Sequence, residues 1–371
     1  MRALYNFKGL FLLILIAGTM IGCGIDDDEP SGPTDVITNP VTTTGIDPNS
    51  WLVPQNEVFD GGPGKDGIPA LIDPPKISVG AIDFMEPNDL IIGYQVGDKV
   101  VGYPHKILDW HEIINDEVDG EHFAVTYCPL TGTAIGYSRV IDGNLTSFGV
   151  SGLLYNTNLI PYDRLTDSNW SQILRKSVNG TLVGREIETL PLIETSWANW
   201  QRLYPNSTVV GTNTGTPRNY GRYPYGNYLT SPGLIFPISV TDTRLFAKER
   251  VLSVIVGENA KAYEIGRFDE PAIIEDAFDG LDYIVYIDGQ SNAAVAFAST
   301  TLDGVSIVLS PYTGDNAGVM QDQFDNIYDL FGSVVEGPNA EHKLEAVEYI
   351  IGFWFTFPSF FETVDLDGGK N

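Results

Sequence analysis

The chain reads as an α+β protein, mainly antiparallel β with few, short helices, and three observations lead there. Runs rich in β-branched and aromatic residues are short and are separated by Asp-Gly turns. Helical spacing of apolar residues appears only in brief segments. The later part of the chain also resembles the earlier part at an offset of about 160 residues, a period far too long for a solenoid unit. That offset predicts two similar lobes from an internal duplication.

From the N-terminus, Arg2 and Lys8 precede an apolar run over 10–17 that is too short to span a bilayer comfortably, and Met20-Ile21-Gly22-Cys23 follows. A small residue directly before a cysteine at the end of such a run predicts a signal peptide over 1–22 and lipidation of Cys23. Acyl chains then hold the protein to a membrane. Residues 23–50 form a flexible tether, because Asp26-Asp27-Asp28-Glu29 and the Pro/Thr/Ser/Gly-rich stretch behind it have too little apolar content for a core. The acidic run resembles a signal for lipoprotein export to the cell surface. The expected location is the cell envelope, lipid-anchored at the outer membrane and displayed on its surface.

The first lobe is expected over 51–248. It opens with a turn-forming segment at 61–67, followed by strands at 91–95 and 99–103 and helical spacing at 107–114. Strands at 123–127 and 134–140 lead into the turn Asp142-Gly143, and helical spacing returns at 170–174 and 196–204. The second lobe, 249–371, repeats this framework. Val96-Gly97-Asp98 falls on Val256-Gly257-Glu258, the strand at 123–127 falls on 283–287, and helical spacing closes the lobe at 349–357. In this alignment Cys128 becomes Asp288 and His111 becomes Pro271. The first lobe is therefore expected to carry the chemistry and the second to act as scaffold.

Charge and cysteine count narrow the function. With 21 basic against 49 acidic residues and a formal net charge of −28, the chain repels phosphate backbones, which excludes nucleic acid as a partner. Of two cysteines, one is assigned to the anchor. No intrachain disulfide is available, and Cys128 is the only free thiol.

Cys128 lies in Tyr127-Cys128-Pro129-Leu130-Thr131-Gly132-Thr133, and three readings of it stand side by side. A thiolate with imidazoles suits a soft metal, so Cys128, His111 and His105 are candidate ligands for copper or zinc. A catalytic site would use Cys128 as nucleophile and His111 as base, with Glu112, Asp116 or Asn115 orienting the imidazole. Pro129 weakens the hydrolytic version, because it removes the backbone donor directly after the nucleophile. The third reading is an inert buried cysteine near a hydrogen-bonded core histidine.

Asn156, Asp163, Arg164 and Gln172 lie among aromatic residues and suit either a ligand pocket or a network bracing a long connection. Arg218 and Tyr220, with Tyr223, Tyr225 and Tyr228, suit a platform for a sugar or peptide, or a cover for a sheet edge. The ligand, protein or small molecule, is not specified by these residue types.

Several ordered motifs together resemble one bacterial family: Gly61-Gly62-Pro63-Gly64-Lys65-Asp66-Gly67, Trp110-His111-Glu112, Tyr127-Cys128-Pro129-Leu130 with Gly132-Thr133, Tyr162-Asp163-Arg164, and Trp170-Ser171-Gln172. It is the domain-of-unknown-function family numbered 3179, and the resemblance runs from about residue 56 to 357. The resemblance implies no established activity. Members often carry a second cysteine where this chain has Thr131, so a redox disulfide or a paired-thiolate metal site is unavailable here.

Overall fold

Asp-Gly pairs set four of the hairpins of this chain. Asp119-Gly120, Asp142-Gly143, Asp279-Gly280 and Asp303-Gly304 each place both residues at positive φ, between 48° and 84°. That is the two-residue turn whose twist matches paired strands, and glycine is the residue that adopts its second position without strain. In the computed structural model residues 42–314 and 317–368 are described, so the expected signal segment, Cys23 and the acidic run lie outside the described residues.

The architecture is α+β, with mostly antiparallel and mixed sheets and three short α-helices among the described residues, at 42% strand and 9% helix. One sheet orders strands Ile193–Ser196, Leu90–Val96, Lys99–Pro104, Thr208–Val210 and Lys76–Ser78, with Thr208–Val210 parallel to its neighbour Lys99–Pro104. A later sheet orders Tyr349–Phe353, Arg250–Val256, Asn259–Glu264 and Thr363–Leu366, again with the last pair parallel. An antiparallel set of Thr133–Ser138, Glu121–Cys128 and Ile113–Val118 has its counterpart in Ala293–Ala298, Leu281–Asp288 and Ala272–Phe278. A four-strand meander over 148–179 likewise has a counterpart over 309–336.

Two helical expectations give way to strands. At 170–174 the chain forms strand Asn169–Ser171 and a turn, because Trp170 pairs with Ser177 and buries its ring, with its indole N–H donated to Asp163 at 3.0 Å. At 349–357 strand Tyr349–Phe353 pairs with Arg250–Val256, and only Thr356–Phe360 is helical. The run at 349–353 is buried on both faces and the strand at 169–171 holds a single apolar residue, so neither shows the alternation that separates strand from helix. The segment at 107–114 is the helix His105–His111, which stops early because Ile113–Val118 pairs as a strand. Helix Trp197–Leu203 agrees with expectation, its N-terminus capped by Ser196 accepting from the Asn199 N–H.

Trp200 packs on the facing glycines Gly93 and Gly102, where a Cβ on Gly93 would stand 2.4 Å from the ring. Cys128 belongs to a core cluster that also contains Leu130, Trp170, Phe353, Trp354 and Phe357. The end of strand Glu121–Cys128 is thus buried among residues from both halves of the chain.

Candidate functional site

Cys128 ends its strand at 1% exposure. The turn after it closes by hydrogen bonds from the Thr131 and Gly132 N–H groups to the Cys128 carbonyl, at 3.3 and 2.8 Å, with Gly132 at φ 64°. The Cys128 thiol donates to the Thr157 carbonyl at 3.7 Å. Burial, reinforced by the field of Glu112, pushes the thiol up to about 11. At neutral pH the sulfur is protonated and a poor nucleophile.

Two non-glycine residues beside it are held at positive φ. Glu112, directly after helix His105–His111, sits at φ 57° and ψ −31°. Its N–H donates to the Leu108 carbonyl and its carbonyl accepts from the Tyr127 N–H, both at 2.7 Å, which fixes that conformation. Its side chain is 7% exposed and accepts from the Tyr225 hydroxyl at 3.0 Å, and burial pushes the carboxyl up to about 7. Thr157, a β-branched residue at φ 67°, is fully buried and donates its hydroxyl to the Phe236 carbonyl at 2.8 Å. Such residues cost on the order of 1–3 kcal/mol each and persist where the surroundings over-determine them.

The cover is a long strap. No helix or strand intervenes between Val210 and Arg250, and connections of this length in a compact fold are unusual unless they do something. Its tyrosines reach the Cys128 turn: Tyr223 donates to the Pro129 carbonyl at 3.4 Å and Tyr228 to the Leu130 carbonyl at 2.7 Å. Further along, the Ser239 N–H donates to Asn156 Oδ1 at 2.7 Å, and Trp354 Nε1 donates to the Asp242 carbonyl at 3.2 Å. Lys248 fastens the strap on itself. Its ammonium, 6% exposed at the residue level, donates to the carbonyls of Tyr228, Ser231 and Gly233 and lies 3.8 Å from the Tyr228 ring centre. Burial holds its pKa below the usual lysine value.

The hydrogen-bond partners found for Cys128 and His111 are other groups. Both His111 ring nitrogens are engaged, Nδ1 with the Pro69 carbonyl and Nε2 with the Tyr220 hydroxyl, each at 2.7 Å. Burial lowers the His111 pKa, which favours the neutral ring. His105 Nε2 lies 3.0 Å from Glu194, whose carboxylate also meets Arg250 at 3.1 Å. Burial raises the Glu194 pKa, but Arg250 and His105 outweigh it and hold the carboxyl below its usual range. Asp116 accepts from the Tyr103 hydroxyl at 2.7 Å and pairs with Lys76, so it does not orient His111. Among the described residues no group of three or more His, Cys, Asp or Glu side chains is arranged to hold a metal ion. The copper or zinc expectation on Cys128, His111 and His105 therefore has no support in the geometry.

The remaining candidates have separate partners. Asn156, at a hairpin tip, also donates to the Ser359 carbonyl at 2.8 Å. Asp163 accepts from Thr166, Ser168 and Trp170 and organises its own loop. Arg164 forms a two-armed pair with Asp66 at 2.9 and 2.7 Å. Gln172 joins a buried network with Thr126, Thr133 and Asn158. Arg218 lies 5.5 Å from the Trp110 ring, and Tyr220 bridges His111 to Thr214. Lys248 was not singled out in the sequence, since an isolated lysine before a strand carries no local signal.

Residues 65–364 match the family model described as Protein of unknown function (DUF3179). No curated protein and no solved structure matches the chain.

Proposed function

We propose, from the premise that the chain belongs to the family of proteins of unknown function DUF3179, that it is a bacterial, lipid-anchored binding module of the cell envelope whose folded-domain thiol is structural. The observation that carries this reading is the closed, protonated state of Cys128, beneath a strap whose tyrosines are bonded to its turn. A thiol enzyme needs an accessible thiolate beside a base. Here the sulfur donates to a carbonyl, and burial and the field of Glu112 raise the thiol pKa.

Two lobes from an internal duplication remain part of the proposal, over 51–248 and 249–371. The matching strand orders in the two halves support it. So does the placing of Cys128 and Asp288, each the last residue of the middle strand of its three-stranded set. The boundary falls between the strap and strand Arg250–Val256. Cys23 is proposed as the acylated residue, with anchoring at the outer membrane and exposure on the surface, and the ligand as a protein or small molecule.

The two cysteines are thus assigned two roles, which one pair of measurements separates. Cys23→Ala is expected to shift the protein from the membrane fraction to the soluble fraction, while Cys128→Ala stays membrane-bound and folded. Elemental analysis after exposure to Cu(I) and Zn(II) is expected to find no stoichiometric metal. One metal per chain, removed by both Cys128→Ser and His111→Ala, would overturn the reading.

A further inference from the structure

A cleft of about 1330 Å³ runs between the two halves of the fold and is lined from both sides, with Ala134 and Ile135, directly after the Cys128 turn, in its wall. Its apolar wall includes Tyr94, Leu192, Phe297, Phe331, Tyr349 and Phe360. At this volume it exceeds the roughly 300–1,000 Å³ of a pocket for a compact small ligand, which suits an extended one.

One cation in this cleft is built in an unusual way. Arg175 occupies the turn between strands Asn169–Ser171 and Lys176–Asn179 at φ 53°, a conformation that L residues with long side chains rarely adopt. The turn is held by the Arg175 N–H donating to the Gln172 carbonyl at 3.3 Å and by the Ile187 N–H donating to the Arg175 carbonyl at 2.9 Å. The strained backbone carries the guanidinium into the cleft, where its side chain is only 17% exposed. Its ion-pair partner, Glu348, comes from the other half and is 45% exposed.

That asymmetry decides which partner can leave. A buried guanidinium without a carboxylate is costly, whereas an exposed carboxylate released to water regains its hydration. Exchange of Glu348 for a carboxylate arriving from solvent therefore leaves both ends satisfied. We propose that the cleft binds a ligand with one carboxylate at the end of an apolar chain, and that Arg175 receives the carboxylate after displacing Glu348. The planar guanidinium matches a carboxylate through two parallel hydrogen bonds. Glu258, Glu345 and Glu362 also line the cleft and disfavour ligands with several negative charges, which sets a single carboxylate apart from polyanions. Lys176 and Lys343 also line the cleft, but the Lys176 side chain is 40% exposed and Lys343 is exposed, and a solvated ammonium holds a carboxylate more weakly than the buried guanidinium does.

The proposal rests on the reading of the protein as a binding module, and it names the ligand chemistry. A free fatty acid and the C-terminus of an apolar peptide both present this group. The test is calorimetric titration of the full-length protein with dodecanoate and with tri-leucine, each beside its amide. At least one acid is expected to bind roughly tenfold or more tightly than its amide, since the amide cannot replace the charge on Glu348. Binding of dodecanoate alone identifies a fatty acid, and of tri-leucine alone a peptide terminus. Arg175→Met is expected to remove the preference, and Glu348→Gln, which keeps the side chain's shape but gives up the charge that a ligand carboxylate must displace, to tighten acid binding several-fold. Equal binding of acid and amide, no tightening in Glu348→Gln, or no binding of either acid to that variant would overturn the proposal. If this happens while Cys128 stays unreactive, the cleft assignment fails and the wider reading stands. A reactive native Cys128 overturns the wider reading instead.

Discussion

Gln172→Ala is expected to destabilise the fold by about 3–5 kcal/mol in urea unfolding, the largest effect of any single polar substitution near the candidate site. Gln172 is fully buried. Its amide donates to the Thr126 hydroxyl at 2.9 Å and the Thr133 carbonyl at 3.2 Å, and its carbonyl accepts from the Thr133 hydroxyl and from Asn158, both at 2.7 Å. Asn158 in turn donates to the Thr131 hydroxyl at 2.9 Å. Truncation opens a cavity and leaves several donors and acceptors unpaired in a low-dielectric interior, where each is expensive to bury. Because Thr131 and Thr133 flank the turn after Cys128, the same substitution is expected to loosen that turn. A loss below about 1 kcal/mol would mean that the network is satisfied by water and does not brace the site.

The second large effect is a dependence of stability on pH that Glu112 sets. Its carboxyl holds its proton up to about pH 7 in the folded protein, against a usual value of 4.5. Between those two values the folded chain carries a proton that the unfolded chain has lost, so folding takes up a proton there. Stability from this group is therefore greatest below pH 4.5 and falls as pH rises to about 7, after which the full cost of a buried carboxylate remains. That cost is on the order of 3 kcal/mol. Glu112→Gln keeps the shape and the hydrogen bond to Tyr225 but cannot ionise. It is expected to match the wild type near pH 4 and to be more stable at pH 8, as measured by urea unfolding at the two pH values. Superimposable profiles would show that Glu112 is already ionised or solvated in the fold.

Parts of this molecule were open to inspection in the sequence for plain physical reasons. Asp-Gly between alternating apolar runs has one favourable backbone geometry, and the turns at Asp142-Gly143 and Asp303-Gly304 are hairpins as read. The export segment and Cys23 rest on local pattern alone and lie outside the described residues. The strand at 349–353 shows no alternation because both its faces are buried, and the strand at 169–171 is too short, with one apolar residue, to show a period.

The site shows the same division. The neighbourhood of Cys128 was legible as the place to look, since a lone thiol before a Pro-containing turn is a local feature. Its partners were not legible. The Tyr220 hydroxyl bonded to His111 and the Tyr225 hydroxyl bonded to Glu112 come from 109 and 113 residues away. Their arrival depends on the path of the strap, and that path depends on Lys248 meeting three carbonyls. Arg175 was missed because a positive φ at a non-glycine residue leaves no mark in composition or spacing.

The central claim, a closed and protonated Cys128 under a strap fastened by Lys248, is tested most directly by the rate of iodoacetamide alkylation of the native protein across pH 7 to 10. The account predicts a rate at least roughly a hundredfold below that of the urea-unfolded chain and no rise near the usual thiol pKa of about 8.5. In Lys248→Met the strap loses its fastening, and the rate is expected to rise at least roughly tenfold while the protein stays folded. Rapid native alkylation with a midpoint below about 8 would identify a thiolate at Cys128 and contradict the account.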